Sequence, residues 1–245
     1  MKKIYDAIIW GASLSGLEKA LELQKQEKDV LVLNRFGFPG GNFTEALSCL
    51  ADDVFFSDNT FRQRLRSRLS QLNFGVVYNQ NDELILHPEA VKRAAWEEIT
   101  TNGLQVIFHL TPLHVDRNEE TSELTVFGRE GTFTFNAREV LDYSDNRLLT
   151  GLEGQPLYRD RIRINCFFKD MNREMENHFG FQRVEETSVG YFAVFQKDGV
   201  PWEDVERQFN RTLDELAVEG WKKFGVRMMI MPVYPELVLN EKTRG

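Results

Sequence analysis

Strong positive charge, paired cysteines and long apolar runs are all missing from this sequence. Its 245 residues carry 38 acidic against 30 basic side chains, a formal charge of −8. Such a balance gives no global attraction to nucleic acid or to an anionic membrane surface, and neither partner is expected. The two cysteines, Cys49 and Cys166, lie far apart and in no CxxC or Cys/His metal spacing. Both are expected to be reduced, as in a cytoplasmic protein. No apolar run approaches the ~20 residues that span a bilayer. Ile4–Trp10, interrupted by Asp6, is too short for the core of a signal peptide. GxxxxGK[ST], GxSxG and HExxH are absent, so phosphoryl transfer, serine hydrolysis and zinc proteolysis lose their main sequence support. His87, His109, His114 and His178 are scattered; His109 and His114 read as strand positions of opposite parity, which argues against a shared metal. No metal site is expected, and no histidine is singled out as a general base.

What is present is the composition of an ordinary globular protein, 42% hydrophobic and 28% charged, with 19 Phe and 4 Trp that argue against disorder. The length fits a nucleotide-sized domain with a smaller companion. Ile4–Trp10 is a short apolar run suited to a buried parallel strand. Gly11-Ala12-Ser13-Leu14-Ser15-Gly16 punctuates it, and Leu14, Leu17, Ala20, Leu21 and Leu23 then form a helical stripe. Val30–Leu33 reads as a second buried strand, completing a β-α-β unit of the length a right-handed crossover needs. In a dinucleotide fold the glycines of such a turn let the chain bend sharply, let backbone approach a pyrophosphate and let the helix pack on the strand. The free N–H groups and dipole at the helix start then attract the anion. Here the frame is Gly11, Ser13 and Gly16, with serine in place of the middle glycine. The position after the second strand, where an acid would hold a ribose, is Asn34, which can still accept a hydroxyl hydrogen bond. An ordinary turn with no ligand is the competing reading.

Further along, residues 36–44 are a glycine-rich loop, and Phe61, Leu65, Leu69 and Leu72 recur at helical spacing. Helix is expected over residues 89–100 and a strand over 105–109. Three antiparallel strands follow at 111–116, 123–127 and 132–136, with a short buried strand at 139–143. Beyond Gly151 the pattern changes. Residues 161–168 alternate as a half-buried strand, 190–196 form another, 201–223 a long amphipathic helix ending near Gly225, and 226–231 a last strand. A boundary is placed near residues 150–156, dividing the chain into 1–155, an α/β dinucleotide-binding domain with a parallel sheet and a β-meander, and 156–245, a smaller α+β domain.

Other groupings have bland and functional readings. Arg62, Arg64, Arg66 and Arg68 could bind an anionic substrate, or form a solvated helix face whose stems cover apolar surface. Cys49 is a small core residue or a lone nucleophile; with no second cysteine nearby, dithiol chemistry is excluded. Phe167, Phe168, Tyr191, Phe192, Phe195 and Trp202 are core packing, or an apolar pocket or docking face.

The stretches DAIIWGASLSGLEKA and VLVLNRFGFPGGNFT resemble the FAD-dependent oxidoreductases of the glutathione reductase-like superfamily, those with a GG loop after the second strand. HPEAVKRAAWEEITTNGLQVIFHLTPLHVD resembles that family's helix and following strand, and FNAREVLDYSDNRLLTGLEG its AxxVIDATGD-like segment. The resemblance covers roughly residues 4–155 in the family's order. It implies a Rossmann-like FAD/NAD(P)-binding fold, with Gly11, Ser13, Leu14 and Gly16 at the pyrophosphate and Asn34 and Arg35 at the adenosine ribose. Gly40, Gly41, Asn42 and Thr44 would lie toward the flavin, the backbone near Leu113 toward the adenine, and Ser144 in the ATGD-like run. Asp145 stands where that run has glycine, and nothing after Gly225 resembles the family's GD-containing segment that covers the flavin. The implied protein is an FAD-dependent oxidoreductase acting on a small molecule, whose flavin side a partner protein or second subunit would complete. The alternatives are a non-catalytic relative that works through a partner, and an NAD(P)-binding regulator in which Arg35 meets a 2′-phosphate. The GG loop favours FAD over NAD(P).

Overall fold

The computed structural model describes residues 3–57, 60–118, 120–153 and 158–239. It divides into two compact units, Met1–Gly41 with Lys92–Leu157, and Asn42–Val91 with Tyr158–Gly245. The chain therefore passes between units three times. The division expected at 155/156 lies beside the last of these passages and does not include the other two.

The first unit is built on a six-stranded sheet. Its strand order is Gln105–Ile107, Val30–Leu33 (β2), Ile4–Trp10 (β1), Gly131–Asp142, Ser122–Gly128 and Thr111–Arg117. The first four strands are parallel and the remaining pairs antiparallel. All of β2 and the last four residues of β1 are buried, the pattern of strands covered on both faces. One face carries Ile8, Trp10, Leu31, Leu33, Leu124, Val126 and Val140 in a single apolar cluster. The helix between β1 and β2, Leu14–Lys25 (α1), buries Leu14, Leu17, Ala20, Leu21 and Leu23, the stripe expected from the sequence.

The strands expected at 132–136 and 139–143 are one continuous strand, Gly131–Asp142. Its first part pairs antiparallel with Ser122–Gly128 and its second part runs parallel to β1, Ile4 opposite Asn136 and Trp10 opposite Asp142. Residues 136–138, Asn-Ala-Arg, contain no glycine or proline to break the strand. A single strand thus hands the meander over to the parallel sheet and delivers Asp142 beside the end of β1.

In the second unit Tyr158–Phe168 is flanked by Gly190–Asp198 on one side and by Met228–Ile230 and Glu236–Leu239 on the other. Arg183–Thr187 pairs outside Gly190–Asp198. A three-stranded sheet, Leu50–Asp52, Glu83–Leu86 and Val76–Gln80, belongs to the same unit. The half-buried alternation expected for 161–168 holds only at its start: Asn165, Cys166, Phe167 and Phe168 are all buried. The reason is that the 42–91 segment supplies Leu47, Cys49, Val77 and Ile85 to pack with Phe167 and Phe192. Asn165 Nδ2 also donates to Ala46 O at 2.9 Å, so a buried polar side chain ties the two segments together. Helical backbone runs from Trp202 to Phe224 with a wider π-type turn at Glu215–Glu219.

Candidate functional site

The glycine turn lies where β1, α1 and the end of Gly131–Asp142 converge. Gly11 N donates to Leu33 O at 2.7 Å and Tyr143 N donates to Trp10 O at 2.8 Å, which anchors both flanks. Gly11 has φ +107°, a conformation that side chains rarely adopt. A Cβ on Gly11 would stand 2.5 Å from Ser144 N, and one on Gly16 would collide with Gly11 O. Both positions therefore need glycine for the close approach of strand, turn and helix.

Ser13 is the N-cap of α1 and is almost fully buried. Its Oγ accepts from Gly16 N at 3.0 Å and donates to Tyr143 O at 2.7 Å. The hydroxyl thus satisfies one of the four orphan donors of the helix start. The first turn of the helix opens here, with the positive end of its dipole at the glycine turn.

Asn34, 3% exposed, faces inward. Its Oδ1 accepts from Ala12 N at 2.9 Å, and its Nδ2 donates to Phe36 O and Phe38 O, both at 3.1 Å. The amide ties the glycine turn to the following loop, and its polar groups are engaged within the chain. Arg35 is half-buried, its guanidinium 5.4 Å from the Phe36 ring centre. The GG loop then runs alongside the turn: Gly40 N donates to Ala12 O at 2.8 Å, and Gly40 forms a parallel bridge with Ser13. A Cβ on Gly41, at φ +58°, would stand 2.6 Å from Ser13 Cβ.

Ser144 accepts from Leu148 N at 3.0 Å and donates to Asp142 Oδ1 at 2.5 Å. Asp142 also accepts from Ser144 N, Leu149 N, Thr150 N and Thr150 Oγ1, organising the chain from the end of its strand into the helix Leu148–Leu152. This carboxylate was missed in the sequence reading. The Asp-x-Ser spacing of an Asx turn was the signal that could have found it. Leu113 is 48% exposed in the outermost strand of the sheet, at a break in register between Pro112 and His114. In the second unit, Asn42 and Thr44 lie in a single helical turn, Asn42–Glu45, with Thr44 buried.

The remaining groupings resolve toward packing. Arg62 lies over the Phe55 ring and donates to Phe55 O, while Arg66 lies over Phe56 and pairs with Asp53. Cys49 and Cys166 are buried and outside any disulfide, Cys49 Sγ donates to Phe43 O at 3.3 Å, and burial pushes the Cys166 thiol far above the ordinary range, so Cys166 is not a ready nucleophile. His109 is not in a strand: the parallel strand stops at Ile107 and His109 has φ +61°, its ring set against Gly37. The parity expected for His109 and His114 therefore does not apply. Among the described residues there is no group of three or more His, Cys, Asp and Glu side chains that could hold a metal ion.

Parallel strands, a glycine turn opening a helix and a meander returning to the sheet define a Rossmann-like dinucleotide-binding protein. The chain belongs to the FAD dependent oxidoreductase family, whose model matches residues 6–219. Among solved structures it is similar to the OxyS anhydrotetracycline hydroxylase from Streptomyces rimosus, at 14% identity and TM-score 0.58, covering 87% of this chain and 49% of that one. It is also similar to p-nitrophenol 4-monooxygenase PnpA from Pseudomonas putida DLL-E4, at 14% identity and TM-score 0.57, covering 98% and 69%. A flavoprotein/dehydrogenase from Cytophaga hutchinsonii aligns at 14% identity and TM-score 0.57, covering 95% and 66%. The chain spans about half the length of OxyS and of AlpK. No curated protein matches it by sequence. Among the described residues no helix is long and apolar enough to cross a membrane.

FAD is the cofactor that the family implies. The residues at the turn fit its pyrophosphate, because Gly11 and Gly16 carry no side chain where the turn is tightest and the helix start behind them has no acidic residue in its first turn.

Proposed function

We propose that the protein is an oxidoreductase that binds FAD through the glycine turn of its first unit and carries out redox chemistry on a small molecule. The observation that carries this reading is the Gly11–Gly16 turn, where positive φ, the absence of room for a Cβ and a capped helix start occur together. Gly11, Ser13, Leu14 and Gly16 shape the pyrophosphate seat at the positive end of α1. Asn34 acts through the backbone: by fixing Ala12 N and the carbonyls of Phe36 and Phe38 it sets the path of Arg35, Gly40 and Gly41 past the nucleotide. Leu113 is kept toward the adenine and Ser144 beside the Gly11 turn, as in the glutathione reductase-like branch. Bound flavin supplies the electron transfer itself, and the protein supplies binding and orientation. Two buried reduced thiols suit a cytoplasmic setting, and a second subunit or partner chain on the flavin side is part of the same proposal.

The test is a visible spectrum of the purified protein before and after incubation with FAD, with a thermal melt on each sample. A reducible flavin spectrum and a raised melting temperature are expected; ligand at 100 times Kd stabilises by about 2.7 kcal/mol. Gly11→Val should remove both signals. A wild-type protein with neither signal would overturn the proposal, and FAD binding that survives Gly11→Val would refute this location.

A further inference from the structure

Resting on the FAD reading above, we propose that the Asp145 carboxylate acts as an internal anion at the pyrophosphate seat, so that it must be displaced or must repel the phosphates when a nucleotide binds. Asp145 follows the strand that ends beside β1 and reaches back to the glycine turn. At Gly41 the place a Cβ would take is claimed from two sides, by Asp145 Oδ2 and by Ser13, whose Cβ lies 2.6 Å and whose Cα lies 3.0 Å from it. The carboxylate therefore stands against the GG loop and beside the N-cap residue of α1. All three residues belong to the first unit.

Two features give this position its meaning. The first turn of α1 has no acidic residue of its own, so the positive end of the helix dipole has no local counter-charge. Asp145 brings a negative charge to that end from more than a hundred residues away. Gly41 at φ +58° keeps the loop tight enough for the approach, and any side chain there would close it. A diphosphate entering the same seat brings negative charge toward a fixed carboxylate, and like charges a few ångströms apart in partly screened surroundings oppose each other strongly. Asp145 thus sets the affinity of the seat. It lowers affinity for phosphorylated ligands in general and makes retention of a cofactor depend on its other contacts.

The experiment compares wild type with Asp145→Asn and Asp145→Ser, using FAD, ADP and inorganic pyrophosphate as separate probes, with affinity read from FAD fluorescence quenching and from thermal shift. Removing the charge should tighten each probe about tenfold or more, as expected for relief of a nearby like charge, while Asp145→Glu should bind as wild type does. Circular dichroism shows that each variant is folded, and two neutral replacements guard against one that is not. Equal or weaker binding by both folded neutral variants overturns the proposal while FAD binding by wild type leaves the cofactor reading standing. If neither wild type nor the neutral variants bind any probe, both fall.

Discussion

In the first unit the polar backbone of a turn is held by side chains; in the second, sheets are held by aromatic packing. Ser13, Asn34 and Asp142 each satisfy backbone groups around the glycine turn, and only Ser13 and Asn34 among them are deeply buried. The second unit instead clamps Phe167 and Phe192, with ring centres 5.1 Å apart, between chain segments more than seventy residues distant in sequence. The difference teaches that a ligand seat needs its backbone donors aimed, which takes hydrogen bonds of fixed direction, whereas a sheet-to-sheet contact needs only volume filled.

Three substitutions would break or sharpen this contrast. Phe167→Ala should have the largest effect, destabilising the second unit by about 3–5 kcal/mol through the cavity it leaves; a denaturant melt should show it, with FAD affinity unchanged. Asn34→Ala should cost about 1–3 kcal/mol, since it leaves Ala12 N and two carbonyls without their partner. Here the fingerprint differs, because hydrogen exchange at Ala12 should rise and FAD affinity should fall. If both variants lost stability and affinity alike, the division of labour between the units would be wrong. The smallest effect concerns Arg183, whose hydrogen-bonded pair with Glu83 at 2.7 Å joins the 42–91 segment to the later sheet. This bond holds the Glu83 carboxyl below the usual carboxylate range and raises the Arg183 guanidinium. A lowered carboxyl stabilises the fold above its unfolded value, and that contribution disappears as pH falls through the folded one. Arg183→Ala should therefore be slightly less stable than wild type at neutral pH, with the difference vanishing in acid; a constant difference across pH titrations would refute it.

Much of the first unit was legible in the sequence. A β-α-β crossover is local, and Leu14, Leu17, Ala20, Leu21 and Leu23 announce their helix face within a dozen residues. The meander was legible for the same reason, up to the point where Gly131–Asp142 changes partner, which no local pattern marks. The short strands Leu50–Asp52, Val76–Gln80 and Glu83–Leu86 escaped notice because three to five residues carry too little periodicity to read. At the site, the positions of Gly11 and Gly16 could be named in advance, but the direction of the Asn34 amide could not, since it follows from which backbone groups lie unpaired nearby once the chain has folded.

The sequence by itself determined the nucleotide-type turn, the order of elements around it and the lack of cysteine pairing or metal spacing, because each depends on residues close together or on composition alone. Tertiary structure decided that residues 42–91 join the second unit, that Asn34 faces inward and that Asp145 and Ser13 both close on Gly41. Those are contacts between segments tens to more than a hundred residues apart, set by burial and by the pairing of polar groups, and no local spacing encodes them.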